Sequence, residues 1–272
     1  MKKIKTLLLP LLAAGVLSMQ DPVLSQKTIK EYSNIRISFI DVMQGDSILI
    51  DGKKDMLIDC GDNDKGDEIR NYLNSHGIRE LEYLVITHTD ADHMGGCEEV
   101  INNFSVKNIM LDGQKRTTKT YTDIISLIDT ENKIAAKKDY SFSLGKINFK
   151  VLHSNVGSDN PNQNSIVLRM DYNNFSALFA GDCDRSCEEE LLNEDIDVDV
   201  LKVAHHCSKY GTSTTFLNKV TPEIAIIEVG TGNRYNHPNR ECLDRLENIT
   251  VYRTDLNGDI LVETNGLSYL VK

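Results

Sequence analysis

The apolar positions of the chain change period as it runs. "IRISFID" (residues 35–41) alternates, "SILIDG" (47–52) follows as a second strand, and "DGKKD" turns the chain into "MLID" (56–59). A helical pattern then covers Lys65 to Ser75 and stops at Gly77. "LEYLVITH" (81–88) is a short apolar run and reads as a buried strand ending at His88. A short helix near Glu98, a strand at "NIML" and a helix near Thr122 to Thr130 come next. "INFKVLH" and "SIVLRMD" are strands, and "YNNF" is a hairpin turn feeding "SALFAGD". "VDVLKVAH" and "EIAIIEV" are strands, followed by a helix from Glu241, a strand at "VYRT" and a closing hairpin. No linker or low-complexity tract interrupts this order after residue 35, so residues 30–272 are expected to form one α/β domain.

The first 25 residues break the pattern. "MKKIK" is basic, "TLLLPLLAAGVLSM" is apolar and of signal-peptide length, and small residues follow at Ser18 and Ser25. Residues 1–25 are therefore expected to be a signal peptide, and the protein secreted or associated with the cell envelope; an uncleaved membrane anchor is the alternative. Removing them takes away three lysines and Asp21 and moves the formal charge from −11 to about −13. Such acidity argues against a broad electrostatic grip on nucleic acid, but not against a local cation-lined cleft. Six cysteines in an exported chain invite disulfides, although their spacing specifies no pairing. Cys183 and Cys187 fall on an expected helix, poorly placed to bond. Cys60, Cys97 and Cys207 are expected in loops as small buried residues, and Cys207 is a weak candidate for metal contact.

The densest chemistry lies in "THTDADHMGG" (87–96), where His88, Asp90, Asp92 and His93 crowd onto the loop leaving a strand. Imidazole and carboxylate together suit zinc, manganese or iron. A solvated turn would explain the aspartates but not two of the chain's seven histidines framing them. The stretch from "MLIDCGD" to "LVITH" is echoed by that from "ALFAGDCD" to "LKVAH". Each delivers an Asp (Asp59, Asp182) and then a His (His88, His205) from the ends of successive strands. Two packed sheets with helices outside, and a site along one shared edge, follow from such a repeat.

"HTDADHMGG" resembles the His-x-His-x-Asp-His signature of the metallo-β-lactamase superfamily, with Asp90 in the second histidine's place. "FIDVMQGDSILI", "LIDCG", "LVITHTDADHMGG", "NQNSIVLRM", "ALFAGD", "VLKVAHHCSKYGTS", "NHPN" and "VYRTDLNGDI" follow in order the pattern of the C-terminal domain of ComEC-type competence proteins. The resemblance implies an αββα sandwich of two similar halves and, by analogy, hydrolysis of DNA phosphodiesters. It puts His88 and Asp90 on one metal and Asp92 and His93 on another, with Asp182 bridging and His205 or His206 completing the shell. The comparison of the two halves favours His205. Zn²⁺ or Mn²⁺, one or two per chain, is the expected cofactor, and Asp90 shifts the preference toward the harder metal. Asn162, Asn164 and Ser165 stand where the superfamily has its next histidine, and Met43 and Cys207 where the ComEC-type pattern has glycine. No membrane channel accompanies the domain in this chain, so transport of DNA is not implied.

Asp92 and His237 are the candidate catalytic residues, His237 for phosphate contact or leaving-group protonation. Asp59 is expected to orient a ligand or shape a turn. Lys209, Thr212, Ser213, Arg234 and Arg240, in late loops, favour a phosphodiester or nucleic-acid substrate. Asp41, Gln44 and Asp46 are expected to brace loops, and His76 and His153 receive no role. Two other readings stand beside the nuclease: a hydrolase of a non-phosphate ester, lactone or lactam, and a metal-stabilised surface binding protein without turnover.

Overall fold

The computed structural model describes residues 35–272; the expected signal peptide lies outside them. The first half of the chain opens with β1 (Ile35–Phe39), β2 (Ile48–Asp51) and β3 (Met56–Ile58), then α1 (Gly66–Ser75), β4 (Glu80–Leu81) and β5 (Tyr83–Ile86). It continues through α2 (Ala91–Met94), α3 (Cys97–Asn103), β6 (Ser105–Val106), β7 (Ile109–Leu111), α4 (Lys119–Leu127) and β8 (Lys133–Ala135). The second half holds β9 (Ser141–Leu144), β10 (Ile147–His153), β11 (Val167–Tyr172), β12 (Phe175–Phe179), α5 (Arg185–Leu191) and β13 (Val200–Lys202). There follow α6 (Thr214–Val220), β14 (Ile224–Ile227), α7 (Arg240–Arg245), β15 (Thr250–Arg253), α8 (Thr254–Asn257), β16 (Ile260–Thr264) and β17 (Tyr269–Val271).

Two sheets carry the fold. One runs β17-β16-β1-β2-β3-β5-β7-β8 and the other β15-β14-β13-β12-β11-β10-β9. Their facing sides share one core, in which Phe39, Ile50, Phe149, Phe179 and Val262 are buried. A second apolar layer, including Leu191, Phe216 and Leu246, lies between the second sheet and α5, α6 and α7. A third, including Ile69, Val100 and Ile124, lies between the first sheet and α1, α3 and α4. This is the expected αββα sandwich. The last helix of the first half begins three residues earlier than its expected start at Thr122, because Thr118 caps it by accepting from the Tyr121 N–H at 3.3 Å.

The internal repeat is structural. β3 pairs in parallel with β5 across α1, and β12 pairs in parallel with β13 across α5. Parallel strands present their C-terminal ends at one edge, where loops gather side chains for chemistry. Asp59 follows β3, His88 follows β5, Asp182 follows β12 and His205 follows β13. The two glycines closing "DADHMGG" explain how that loop is compacted. A side chain at Gly95 would run into the backbone of Asp62 and Asn63, and one at Gly96 into the Cys60 carbonyl.

All six cysteines are paired: Cys60–Cys97, Cys183–Cys187 and Cys207–Cys242. This corrects the reading of Cys183 and Cys187 as neighbours on one helix. Asp184 is the N-cap of α5, its carboxylate accepting from the Ser186 and Cys187 N–H groups, so Cys183 lies before the helix and its Cα comes within 5.4 Å of that of Cys187. Cys97 is the first residue of α3, not a loop residue, and Cys207 is bound to Cys242 and gives no metal ligand.

Candidate metal centre

Three buried imidazoles converge on one buried carboxylate at the shared edge. His93 Nε2 lies 3.2 Å from Asp182 Oδ1, while His206 Nε2 and His88 Nε2 lie 3.6 and 3.9 Å from Asp182 Oδ2. Asp90 Oδ2 is 3.7 Å from His88 Nε2, and Asp92 Oδ2 is 3.4 Å from His206 Nε2. Two ligand atoms held tetrahedrally at roughly 2.1 Å from one ion stand about 3.4 Å apart, the spacing seen here. Nε2 of His88, His93 and His206 and Oδ1 of Asp182 are buried and make no hydrogen bond among the described residues. Buried polar atoms without partners are costly; the ligand atoms of His88, His93 and Asp182 lie within 4.8 Å of one another, so a cation among those three would satisfy them, with His206 alongside, facing Asp182 and Asp92. The residues present therefore fit a divalent metal.

Local structure explains how each group arrives. Asp59, left-handed at φ 58, turns its carboxylate back to accept from the Thr87 N–H (2.7 Å), the Thr87 hydroxyl (2.7 Å) and His93 Nδ1 (2.8 Å). That is the geometry of a carboxylate fixing the tautomer of a ligand histidine. The Asp182 N–H donates to Ser165 Oγ at 3.1 Å. His205, His206 and Cys207 are successively left-handed (φ 51, 50 and 60), so both histidines face Asp182 from one tight turn. His206 is buried, with Nδ1 at 2.9 Å from the Glu228 carbonyl; His205 is partly open, its Nε2 3.7 Å from Asp182 Oδ2 and 3.2 Å from Asn162 Nδ2. The half-to-half comparison pointed to His205, but the deeper of the two positions belongs to His206.

The charges are strongly coupled. Burial alone would lower His93, yet Asp182, Asp46 and Asp59 around it hold it well above its ordinary value. Burial likewise opposes His206, which Asp182 and Asp46 push up to about 10. Asp182 resists its own burial and stays well below the carboxylate range because His93, His206 and His205 face it. Asp92 is also held low against its own burial, by the His206 ring facing it and the charge of His93. His237, whose ring centroid is 5.5 Å from that of His205 and 6.1 Å from that of His206, is brought down to about 4 by burial and by those two rings.

A cleft of about 420 Å³ opens beside the cluster, lined by Asp90 and Asp92 on one side and Asn233, Arg234 and Tyr235 on another. Asn233 folds that loop around itself, its amide donating to the Gly230 and His237 carbonyls at 2.9 and 2.6 Å, and the exposed Arg234 lies over the Tyr235 ring. Of the other late-loop residues, Lys209 lies over Tyr210, Arg240 pairs with Asp244, the Thr212 N–H is held by Glu188 and Ser213 caps α6. Asn164 is buried and tied to Ser158 and Gln114, and His153 donates to or accepts from nothing in the cluster, its Nδ1 lying 2.9 Å from the Ser165 carbonyl.

Sequence reasoning gave Gln44 and Asp46 only a bracing role and passed over Lys202. Gln44 lines the cleft, and Asp46 and Lys202 form a buried ion pair behind His93 and His206. Asp41 does brace its loop, accepting from the Met43 N–H at 3.0 Å. Met43 and Cys207, at φ 62 and 60, occupy backbone positions that favour glycine.

The family model described as the metallo-beta-lactamase superfamily matches residues 40–230. ComE operon protein 3 of Bacillus subtilis is 30% identical over 82% of the chain, and competence protein ComA of Neisseria gonorrhoeae is 29% identical over 68%. The chain spans only 32% and 26% of those two proteins. Among solved structures, the metallo-beta-lactamase fold protein YhfI of Bacillus subtilis superposes over 85% of this chain and 99% of its own, with a TM-score of 0.58 at 10% identity. With its sandwich, its edge-borne His/Asp cluster and a family match over most of its length, the chain belongs to the metallo-beta-lactamase superfamily.

Proposed function

We propose that the protein is a metal-dependent hydrolase of phosphodiesters, with DNA as its substrate. The observation that carries the reading is the set of unpartnered, buried Nε2 and Oδ1 atoms of His88, His93, His206 and Asp182, which opens through Asp90 and Asp92 into a cleft bearing Arg234. A bound divalent cation supplies Lewis acidity and offsets the charge of a phosphoryl oxygen. His88, His93 and Asp182 would hold such an ion, with His206 adjoining them and Asp90 and Asp92 on the cleft side. Asp59 keeps His93 oriented. His237, on the rim beside His205 and His206, contacts a non-bridging phosphate oxygen. Arg234 adds a fixed positive charge where an acidic protein would otherwise repel a phosphate. The competence relatives support DNA over other phosphodiesters. Three disulfides beside a basic and apolar N-terminal stretch support an oxidising, extracytoplasmic location.

The test is a panel of assays on metal-reconstituted protein with plasmid, single-stranded DNA, bis-nitrophenyl phosphate and a chromogenic cephalosporin. Hydrolysis of the phosphodiesters is expected. Opening of the lactam with the phosphodiesters untouched would transfer the site to acyl chemistry. Binding without any turnover would leave a metal-stabilised binding protein.

A further inference from the structure

His93 and His206 each use their two ring nitrogens differently. Both Nε2 atoms face Asp182, and both Nδ1 atoms face back into the protein. There His93 Nδ1 meets Asp59 and His206 Nδ1 meets the Glu228 carbonyl. Between these two inner edges sits Asp46, with Oδ2 3.6 Å from His93 Nδ1 and Oδ1 3.3 Å from His206 Nδ1. Asp46, His93 and His206 thus make a second, wholly buried group of potential cation ligands.

That inner place already has a cation. Lys202, 1% exposed, donates to Asp46 Oδ2 and lies 3.3 Å from the Gly181 carbonyl. The main chain of Asp46 is equally fixed: its N–H donates to the Asp92 carbonyl at 3.1 Å, and its carbonyl accepts from the Gly61 N–H at 2.8 Å. One residue therefore ties together the loops that carry Asp59 and Asp92, and a strand of the second sheet brings it its counter-ion.

We infer that Lys202 is a built-in cation that closes the inner ligand group, and that the Asp46–Lys202 pair aims Nε2 of His93 and His206 at the metal seat. A carboxylate beside both Nδ1 atoms favours the tautomer that keeps the proton there and leaves the Nε2 lone pair for the metal. The ammonium prevents that same carboxylate from recruiting an ion to the wrong face of the rings. Asp46 and Lys202 are positioning residues, and the inference concerns how the metal is held, whichever substrate the enzyme takes.

Calorimetric titration of metal-depleted protein with Zn²⁺ and with Mn²⁺ tests this. Asp46→Asn is expected to weaken metal binding by about 10- to 100-fold while the circular dichroism spectrum keeps its folded shape. Because that change removes the carboxylate to which Lys202 donates and leaves only Asp182 and Glu228 around it, the Asp46→Asn/Lys202→Met variant repeats the test with both charges of the pair gone. It is expected to melt cooperatively and still to bind at least about tenfold more weakly. Undiminished affinity in either folded variant overturns the inference. The unmodified Zn²⁺-loaded protein offers an independent reading by ¹H–¹⁵N spectroscopy of its histidine side chains. His93 and His206 should both be protonated on Nδ1 and ligated through Nε2; ligation of either through Nδ1 overturns the inference even if neither variant folds.

Discussion

Removing the Cys207–Cys242 disulfide should cost stability in a way that separates the cross-link from the backbone strain beside it. The bridge spans 35 residues and joins the turn of His205 and His206 to α7. Loop-closure entropy for that span amounts to about 4 kcal/mol at 25 °C. Cys207 also sits at φ 60, where an L-residue is less favourable than glycine by roughly 1 to 2 kcal/mol. Cys207→Ala/Cys242→Ala loses the cross-link and keeps the strained backbone. Cys207→Gly/Cys242→Ala loses the cross-link and relaxes it, against glycine's extra chain entropy of roughly 0.5 to 1 kcal/mol. The first variant is therefore expected to lose about 4 kcal/mol, and the second to lose less by up to about 1.5 kcal/mol. Urea unfolding followed by circular dichroism measures both, provided the slopes agree with that of the oxidised parent. If the Ala/Ala variant loses less than about 1 kcal/mol, the bridge is not closing an otherwise free loop. If the glycine variant is the less stable of the two, the left-handed backbone at residue 207 is not a source of strain.

Asp182→Ala should lose most of the bound metal by elemental analysis, because Asp182 is the carboxylate that faces His88, His93 and His206 together; full metal occupancy in that variant would count against the cluster as the seat. His237→Ala should lower phosphodiester turnover by about a hundredfold with metal content unchanged, as expected for one positioned donor to developing charge, whereas His88→Ala should lower both. Arg234→Ala should raise KM for DNA more than it lowers kcat, and steepen no salt dependence; unchanged KM would remove Arg234 from substrate binding. Mass spectrometry of extracellular or envelope fractions should find a new N-terminus near Met19 or Gln26, and an intact Met1 in a soluble cytoplasmic pool would argue against export.

The αββα sandwich was legible because its evidence is local. Alternating and continuous apolar runs mark the strands, and the repeated strand–helix–strand order marks the two halves. The cluster of His88, Asp90, Asp92 and His93 is likewise local, four ligand types within six positions. The relative depth of His205 and His206 was not, because it depends on three consecutive left-handed residues, a conformation that carries no hydrophobic period. Disulfide pairing was hidden for a related reason: Cys60 meets Cys97 through the packing of the glycine-closed loop, at a separation of 37 residues.

Asp46 and Lys202 show where sequence reading stops altogether. They are 156 positions apart, one in a loop of the first half and the other in a strand of the second. Each has an ordinary explanation when seen alone: an Asp in a "GDS" turn, and a Lys at the end of an apolar run. A lysine inside β13 reads as the exposed position of a strand, yet it is among the largest fully buried side chains in the protein. Burying that ammonium without partners would be prohibitive; Asp182 and Glu228 face it from its own half, and Asp46, brought from the other half, is the carboxylate to which it donates. The ion pair that joins the two halves is thus the one that backs His93 and His206. Assembly of the sandwich and orientation of the metal ligands are in this respect one event, which is why a pattern read along either half alone does not reveal it.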